Sequence, residues 1–193
     1  MTKKKPKIQK VPFYGQDWDL SEWKKMGFDS EKEASYWKKS SCAILCLKMA
    51  AEPLCGRKIK TQELIKNGLD INAYGHRNGW EHESIKKLAN NLGLNTEIHS
   101  GSSLEELRSL IDRGFLVIVS IKWAFQDKKF LKERIVFWKK YGGHMALVID
   151  YKKDGFLVHH TSTKPEYNWE NKLVPYRDFE NSFTGRCIAL KRQ

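Results

Sequence analysis

The sequence predicts an α+β fold in which a central apolar helix packs on an antiparallel sheet, and three patterns carry that reading. Apolar residues recur at helical spacing up to Asp112, short β-branched runs dominate from Phe115 onward, and an Asp-Gly turn joins two of those runs as a hairpin. Helices first and strands afterwards is the order of an α+β domain, because alternating units would place a helix between successive strands.

The elements follow in order. A basic start, Met1-Thr2-Lys3-Lys4-Lys5-Pro6-Lys7, precedes Val11-Pro12-Phe13-Tyr14, an extended segment that leads to Gln16. An aromatic-rich connection then runs from Trp18 to Trp37, and Asp29 or Ser30 caps a short helix within it. The main helix is predicted over residues 41–51, stopping before Pro53 because the residue before a proline avoids the α region. Ile44, Leu45, Leu47 and Met49 surround much of its circumference, which marks a buried helix.

Residues 61–68 read as a compact helix with a capping residue at its start and a glycine stop at Gly68. Residues 74–80 read as a loop. Residues 81–92 put Ile85, Leu88, Ala89 and Leu92 on one face and end at Gly93. Ser102 or Ser103 caps a helix over residues 104–112. Leu116-Val117-Ile118-Val119-Ser120-Ile121 is a strand, and residues 145–150, 156–160 and 187–190 are three more. Lys152-Lys153-Asp154-Gly155 is the hairpin turn. Residues 125–141, lysine-rich and aromatic, read as an insertion or lid loop with some helix.

Composition bounds the class. A chain of 193 residues with 40% hydrophobic and 12% aromatic residues buries a core and is not a disordered protein. The division expected is a basic, disordered tail over residues 1–10 and one domain over residues 11–193. Net charge is +12, from 35 Lys+Arg against 23 Asp+Glu, which favours acidic partners, nucleic acid or an anionic membrane surface. The positive residues are spread along the chain without an RNP, zinc-finger or basic-zipper pattern, so a soluble surface accounts for them first. No apolar run is long enough to span a bilayer and no signal-peptide pattern follows the basic start, so a cytoplasmic location is expected.

The cysteines Cys42, Cys46, Cys55 and Cys187 are too few for a disulfide framework in a chain this long. Cys42 and Cys46 stand four apart on the main helix, but no second Cys/His pair with zinc spacing answers them. No metal and no cofactor is expected, and Cys46 reads as a small core hydrophobe.

Cys42 differs from an ordinary core thiol in its place. It opens the main helix, where the helix N-terminus favours an anion and lowers a thiol pKa. His144 heads a strand after Gly142-Gly143, a pair that permits close approach of another backbone. Gln16 lies upstream after the extended segment, where an amide donor can serve an oxyanion. Together they suggest a cysteine nucleophile with a histidine base.

These residues also carry a resemblance. Val11-Pro12-Phe13-Tyr14-Gly15-Gln16, Tyr36-Trp37-Lys38-Lys39-Ser40-Ser41-Cys42-Ala43-Ile44, Asn78-Gly79-Trp80, Leu92-Gly93-Leu94, Gly114-Phe115-Leu116-Val117 and Gly143-His144-Met145 occur in that order. Their order and spacing resemble the bacteriocin-processing peptidase-like branch of the papain-like cysteine peptidases, a bacterial group whose relatives include the double-glycine leader peptidase domains of peptide exporters. The resemblance implies a papain-like fold and cleavage of an amide bond in a peptide or protein substrate. It implies Cys42 as nucleophile, His144 as general base and then acid, and Gln16 with the Cys42 amide as the oxyanion hole.

Two positions depart from the family. Ala43 follows the nucleophile where glycine is usual. The stretch Val158-His159-His160-Thr161-Ser162 places His160 where an Asp or Asn usually orients the imidazole. A neutral histidine can accept from the His144 N–H but cannot stabilise an imidazolium as a carboxylate does. Asn168 and Asp150 are the other residues considered for that place, Asp150 being far along the same strand as His144. Three alternatives stay open: a thiol acyltransferase or deamidase on the same fold, a non-catalytic peptide-binding domain, and a nucleic-acid binder read from charge alone.

Other residues have blander readings. Trp80, Trp123, Trp138 and Trp169 read as core or pocket wall, and His82 and His99 as surface residues. His76 is a loop residue and a candidate for substrate contact. Lys128-Lys129-Phe130-Leu131-Lys132-Glu133-Arg134 reads as a solvated amphipathic face that could also steer acidic peptides.

Overall fold

Leu116-Val117-Ile118-Val119-Ser120-Ile121 alternates apolar side chains on both of its faces, so a strand made from it has to be covered on both sides. The computed structural model describes residues 10–76, 78–122, 125 and 144–193, and in it this strand is buried along its whole length. In chain order the helices are α1 (Trp23–Met26), α2 (Glu31–Ser40), α3 (Cys42–Cys55), α4 (Thr61–Asp70), α5 (His82–Asn91), α6 (Leu104–Asp112) and α7 (Tyr176–Ser182). The strands are β1 (Tyr74–Gly75), β2 (Gly79–Trp80), β3 (Leu94–His99), β4 (Leu116–Ile121), β5 (His144–Lys152), β6 (Gly155–His160), β7 (Trp169–Pro175) and β8 (Phe183–Arg192).

The fold is α+β, as predicted. Six strands form one antiparallel sheet in the order β3-β8-β4-β5-β6-β7. Strand side chains alternate between its faces. Leu116, Ile118, Met145, Leu147, Ile188 and Leu190 pack with residues of α2, α3, α4 and α5. Val117, Val119, Ala146, Val148, Val158 and Ala189 pack on the other face with Leu107, Leu110 and Ile111 of α6 and Phe179 of α7. The central helix α3 therefore has a sheet below it and helices around it, which is why its apolar residues run round the circumference.

Several boundaries move. The main helix does not stop before Pro53 but runs to Cys55 and closes at Gly56, whose left-handed φ of 68° lets its N–H reach the Glu52 carbonyl. Pro53 forfeits one helical N–H, and the last turn is held by Glu52. That carboxylate accepts from the Ile59 amide at 3.1 Å, from the Tyr14 hydroxyl at 2.8 Å and from Lys58 at 3.0 Å. Gly68 does not stop α4 either, and no side chain caps that helix at its N-terminus. The glycine is there because the Trp80 ring occupies the place of a Cβ, which would lie 2.4 Å from it. Tyr74 and Gly75 of β1 pair antiparallel with Trp80 and Gly79 of β2, where a loop was expected.

Ser30 caps α2, accepting from the Glu33 amide, and Ser103 caps α6, accepting from the Glu106 amide. The β5–β6 hairpin is present, but Lys152 pairs with Gly155, so the glycine begins β6 and Lys153-Asp154 makes the turn. A side chain at Gly155 would collide with the Val174 carbonyl of β7, at 2.1 Å. Strands β3 and β7 and helix α7 were not predicted. Both strands are sheet edges with polar residues, Asn95 and Glu97 in one and Glu170, Asn171 and Lys172 in the other, so they lack the apolar run that marks a central strand. The predicted insertion over residues 125–141 lies outside the described residues except for Phe125, as do Gly142-Gly143, Trp123, Trp138 and the segment from Lys128 to Arg134. No described helix is long and apolar enough to cross a membrane.

Candidate active site

The site is built at a helix junction. Ser41 ends α2 and precedes α3, so the two helices meet across a single residue. Its backbone angles, φ −101° and ψ 11°, are not those of a capping serine, and its side chain makes no capping bond. The Ser41 hydroxyl is buried without a partner among the described residues. The first amides of α3 are thereby left uncapped, and the Cys42 sulfur lies among them.

The last turn of α2 leaves carbonyls that need donors, and two neighbours supply them. Gln16, buried, donates from Nε2 to the Lys38 carbonyl at 3.0 Å. Trp80 donates from its indole nitrogen to the Ser40 carbonyl at 2.8 Å. An amide nitrogen carries two hydrogens, so Gln16 keeps a second N–H beyond the one given to Lys38. Lys38 in turn donates to the Trp18 carbonyl at 2.7 Å, tying the connecting segment to the same turn.

His144 is the first residue of β5, and the next residue, Met145, places its backbone amide against the Cys42 sulfur. His160 ends β6. The His144 and His160 rings lie 4.8 Å apart, centroid to centroid, inclined at 56°. His160 Nδ1 bonds the Tyr167 carbonyl at 2.6 Å, and its ring packs on Trp169 at 5.1 Å. Nε2 of His144 and Nε2 of His160 are both buried with no partner among the described residues. The structure thus brings the Cys42 sulfur to the head of β5 and the His144 ring to His160, while Gln16 is held on the turn that precedes Cys42.

The electrostatics differ from the expectation at the thiol. Burial pushes the Cys42 pKa up, outweighing the amides of Met145, Ala43 and Cys42 that favour the thiolate. Burial also pushes His144 down to about 4, against the backbone of Thr161, which favours the protonated ring. His160 is pushed down to about 4 by burial and by His144, with the Tyr167 carbonyl opposing and Lys172 adding to the shift. The direction at the thiol runs opposite to the lowering expected from the helix N-terminus, because desolvation of the thiolate outweighs the few amides present, although part of the Cys42 surface is exposed. Both directions favour the neutral forms, a thiol at Cys42 and an imidazole at His144.

Other predicted residues are placed as follows. Asn168 accepts from the Ser162 amide at 2.7 Å, and its side chain occupies the space that a Cβ at Gly15 would need. Asp150 accepts from the Tyr151 amide. Neither is bonded to His144. His82 is not a free surface residue: it is half-buried and bonds the Ser120 hydroxyl at 2.8 Å. His76 is exposed beside the Tyr36 hydroxyl, at 3.2 Å, within an aromatic cluster of Tyr36, Trp37, Tyr74 and Trp80. Trp80 is core, whereas Trp169 forms the wall behind His160.

Two contacts escaped the sequence. His159, fully buried, accepts at Nδ1 from the Asn171 amide at 3.0 Å, which leaves Nε2–H to donate to the Val11 carbonyl at 3.3 Å. It therefore fastens the Gln16 segment to the sheet. The Tyr167 carbonyl is the other. Backbone partners leave no residue-type signature, so neither was legible.

No family profile matches the chain, and no curated protein matches it in sequence. Solved structures do match. One is the peptidase domain of Streptococcus ComA, a bi-functional ABC transporter involved in a quorum sensing pathway, at TM-score 0.58 and 16% identity over 80% of this chain and 93% of that one. Another is a double glycine motif protease from an AMS/PCAT transporter, in complex with the leader peptide, at TM-score 0.57 and 17% identity over 95% and 93%. A third is a protein from Bacillus anthracis named as a putative C39-like peptidase, at TM-score 0.62 and 16% identity over 95% of both chains. The fold is therefore that of the papain-like double-glycine peptidase domains.

Proposed function

We propose that this protein is a cysteine peptidase acting on a peptide or protein substrate. One observation carries the reading: the Cys42 sulfur sits at the uncapped start of a buried helix, against the head of the strand that begins with His144. The neighbouring folds, one of them solved with a leader peptide, support an extended peptide as the substrate class.

The neutral pair suits a concerted proton transfer. As Cys42 Sγ attacks the scissile carbonyl carbon, His144 takes the thiol proton, and the carbonyl oxygen becomes an oxyanion. The free Gln16 N–H and the Cys42 amide stabilise that oxyanion. Collapse breaks the C–N bond, and the His144 imidazolium returns the proton to the leaving amine. Water then attacks the thioester with His144 as base, and the acid leaves with the thiol restored.

Turnover of peptides in lysates of exporter precursors and in synthetic libraries, followed by mass spectrometry, tests the reading with Cys42→Ala as control. Loss of all cleavage in Cys42→Ala is expected, and undiminished cleavage would refute the mechanism. A second reading, a non-catalytic peptide-binding domain, is favoured by the raised thiol pKa. Tight peptide binding with no acyl-enzyme detectable in rapid acid quench would select it.

A further inference from the structure

Beyond the last turn of α3 the chain gathers more cations than it answers with acids. Lys10, Arg57 and Lys58 line a cavity of about 230 Å³ together with Glu52. The Glu52 carboxylate is buried and already engaged, accepting from the Ile59 amide, the Tyr14 hydroxyl and Lys58. Lys58 gives one N–H to Glu52 at 3.0 Å and one to the Tyr14 hydroxyl at 3.1 Å, and an ammonium has a third. Among the described residues no ion pair or hydrogen bond engages the side chains of Lys10 and Arg57. Three cations against one carboxylate leave the cavity with two surplus positive charges.

The helix works against that field but does not cancel it. Pro53 and Gly56 bring the C-terminus of α3 to the cavity, and a helix C-terminus carries about half a negative charge. This is well below the two surplus charges, so the cavity remains a place for an anion. It is also remote from the thiol. Cys42 opens α3 and Gly56 closes it, which at 1.5 Å per residue separates the two by roughly 15–20 Å.

The chemistry of the lining selects the kind of anion. Lys and Arg side chains offer donors only, and ionised phosphate oxygens only accept. A guanidinium fork matches two oxygens of one phosphate, and a dianion matches the surplus charge. The volume is below the ~300 Å³ at which pockets for drug-sized ligands begin, so the occupant is compact. Pro12 and Pro53 add apolar wall beside the donors, where the carbon side of a small ester can rest.

We propose that this cavity is a binding site for a compact phosphate dianion, held by Lys10, Arg57 and the remaining N–H of Lys58. The shared chemistry is the phosphoryl group, carried either by the free ion or by a small ester. Nothing in the assignment rests on the peptidase reading.

The test is titration of the full chain with inorganic phosphate and with phenyl phosphate, followed by amide 15N–1H NMR and calorimetry, against chloride at matched ionic strength. Saturable shifts are expected at the amides of Lys10, Gly56, Arg57 and Lys58. Tighter binding of phenyl phosphate assigns the ester as the source, and tighter binding of inorganic phosphate assigns the free ion. Arg57→Gln and Lys10→Gln are exposed changes that leave the Glu52 contacts in place, and each should weaken binding on the order of tenfold. Lys60→Gln removes a nearby positive charge that does not line the cavity, and it should leave the affinity within about twofold. Shifts that fail to saturate, equal shifts from chloride, or equal weakening in Lys60→Gln would overturn the proposal. So would a glutamate-rich peptide that saturates these amides while neither phosphate does.

Discussion

At the scale of single residues the site works against its own ionisation. A Cys42 thiol raised by burial and a His144 imidazole lowered to about 4 both favour their neutral forms over a thiolate–imidazolium pair. Thiolate absorbance near 240 nm, taken as wild type minus Cys42→Ala, should therefore be missing through neutral pH and emerge only above about pH 9. A Cys42 thiolate signal already present at pH 6 would contradict the neutral pair. Gln16 is expected to act twice. Gln16→Ala should lower kcat on the order of 100-fold through the oxyanion. It should also cost about 1 kcal/mol of stability through the orphaned Lys38 carbonyl, read from urea midpoints. Gln16, Cys42 and His144 were candidates from residue type and order. The tautomers of His159 and His160 were not, because each is set by backbone neighbours: the Val11 carbonyl and Asn171 amide for His159 and the Tyr167 carbonyl for His160.

At the scale of elements, the α2–α3 junction gathers the site. The final carbonyls of α2 hold Gln16 and Trp80, and the first amides of α3 surround the sulfur. Trp80 is seated in turn on Gly68 of α4. Replacing a helical glycine by alanine ordinarily gains about 1 kcal/mol. Here the new Cβ would meet the Trp80 ring at 2.4 Å, so Gly68→Ala should instead lose roughly 1–3 kcal/mol by overpacking. A higher denaturation midpoint for that variant would show that the ring moves freely and that the junction is not held through it. His159→Phe removes the bond to Val11 and leaves the Asn171 amide without its acceptor. A loss of about 2 kcal/mol and faster amide exchange over the segment before Gln16 are expected.

At the scale of the whole molecule, the histidines make the fold sensitive to acid. His82, His144, His159 and His160 all have pKa values lowered by burial, so each is neutral when folded and protonates more readily when unfolded. Below about pH 6.5 the unfolded chain therefore binds more protons, and stability falls as the pH drops toward 4. His144 alone accounts for about 3 kcal/mol across that window. Urea midpoints should decline between pH 6.5 and 5, before most carboxylates titrate, and a flat midpoint there would count against these four neutral imidazoles, two buried and two half-buried.

Periodicity and residue order by themselves determined the α+β class, the buried main helix and the central strands. Those properties follow from local propensity and from the faces a segment has to bury. Tertiary structure alone decided the rest. It carried α3 through Pro53 because Glu52 is tied to Tyr14, Lys58 and Ile59. It put polar edge strands where no apolar run announced them. It reversed the expected direction of the Cys42 pKa, since a helix N-terminus is visible in a sequence but the depth at which it is buried is not. Desolvation depends on everything packed around a group, and only the folded chain specifies that.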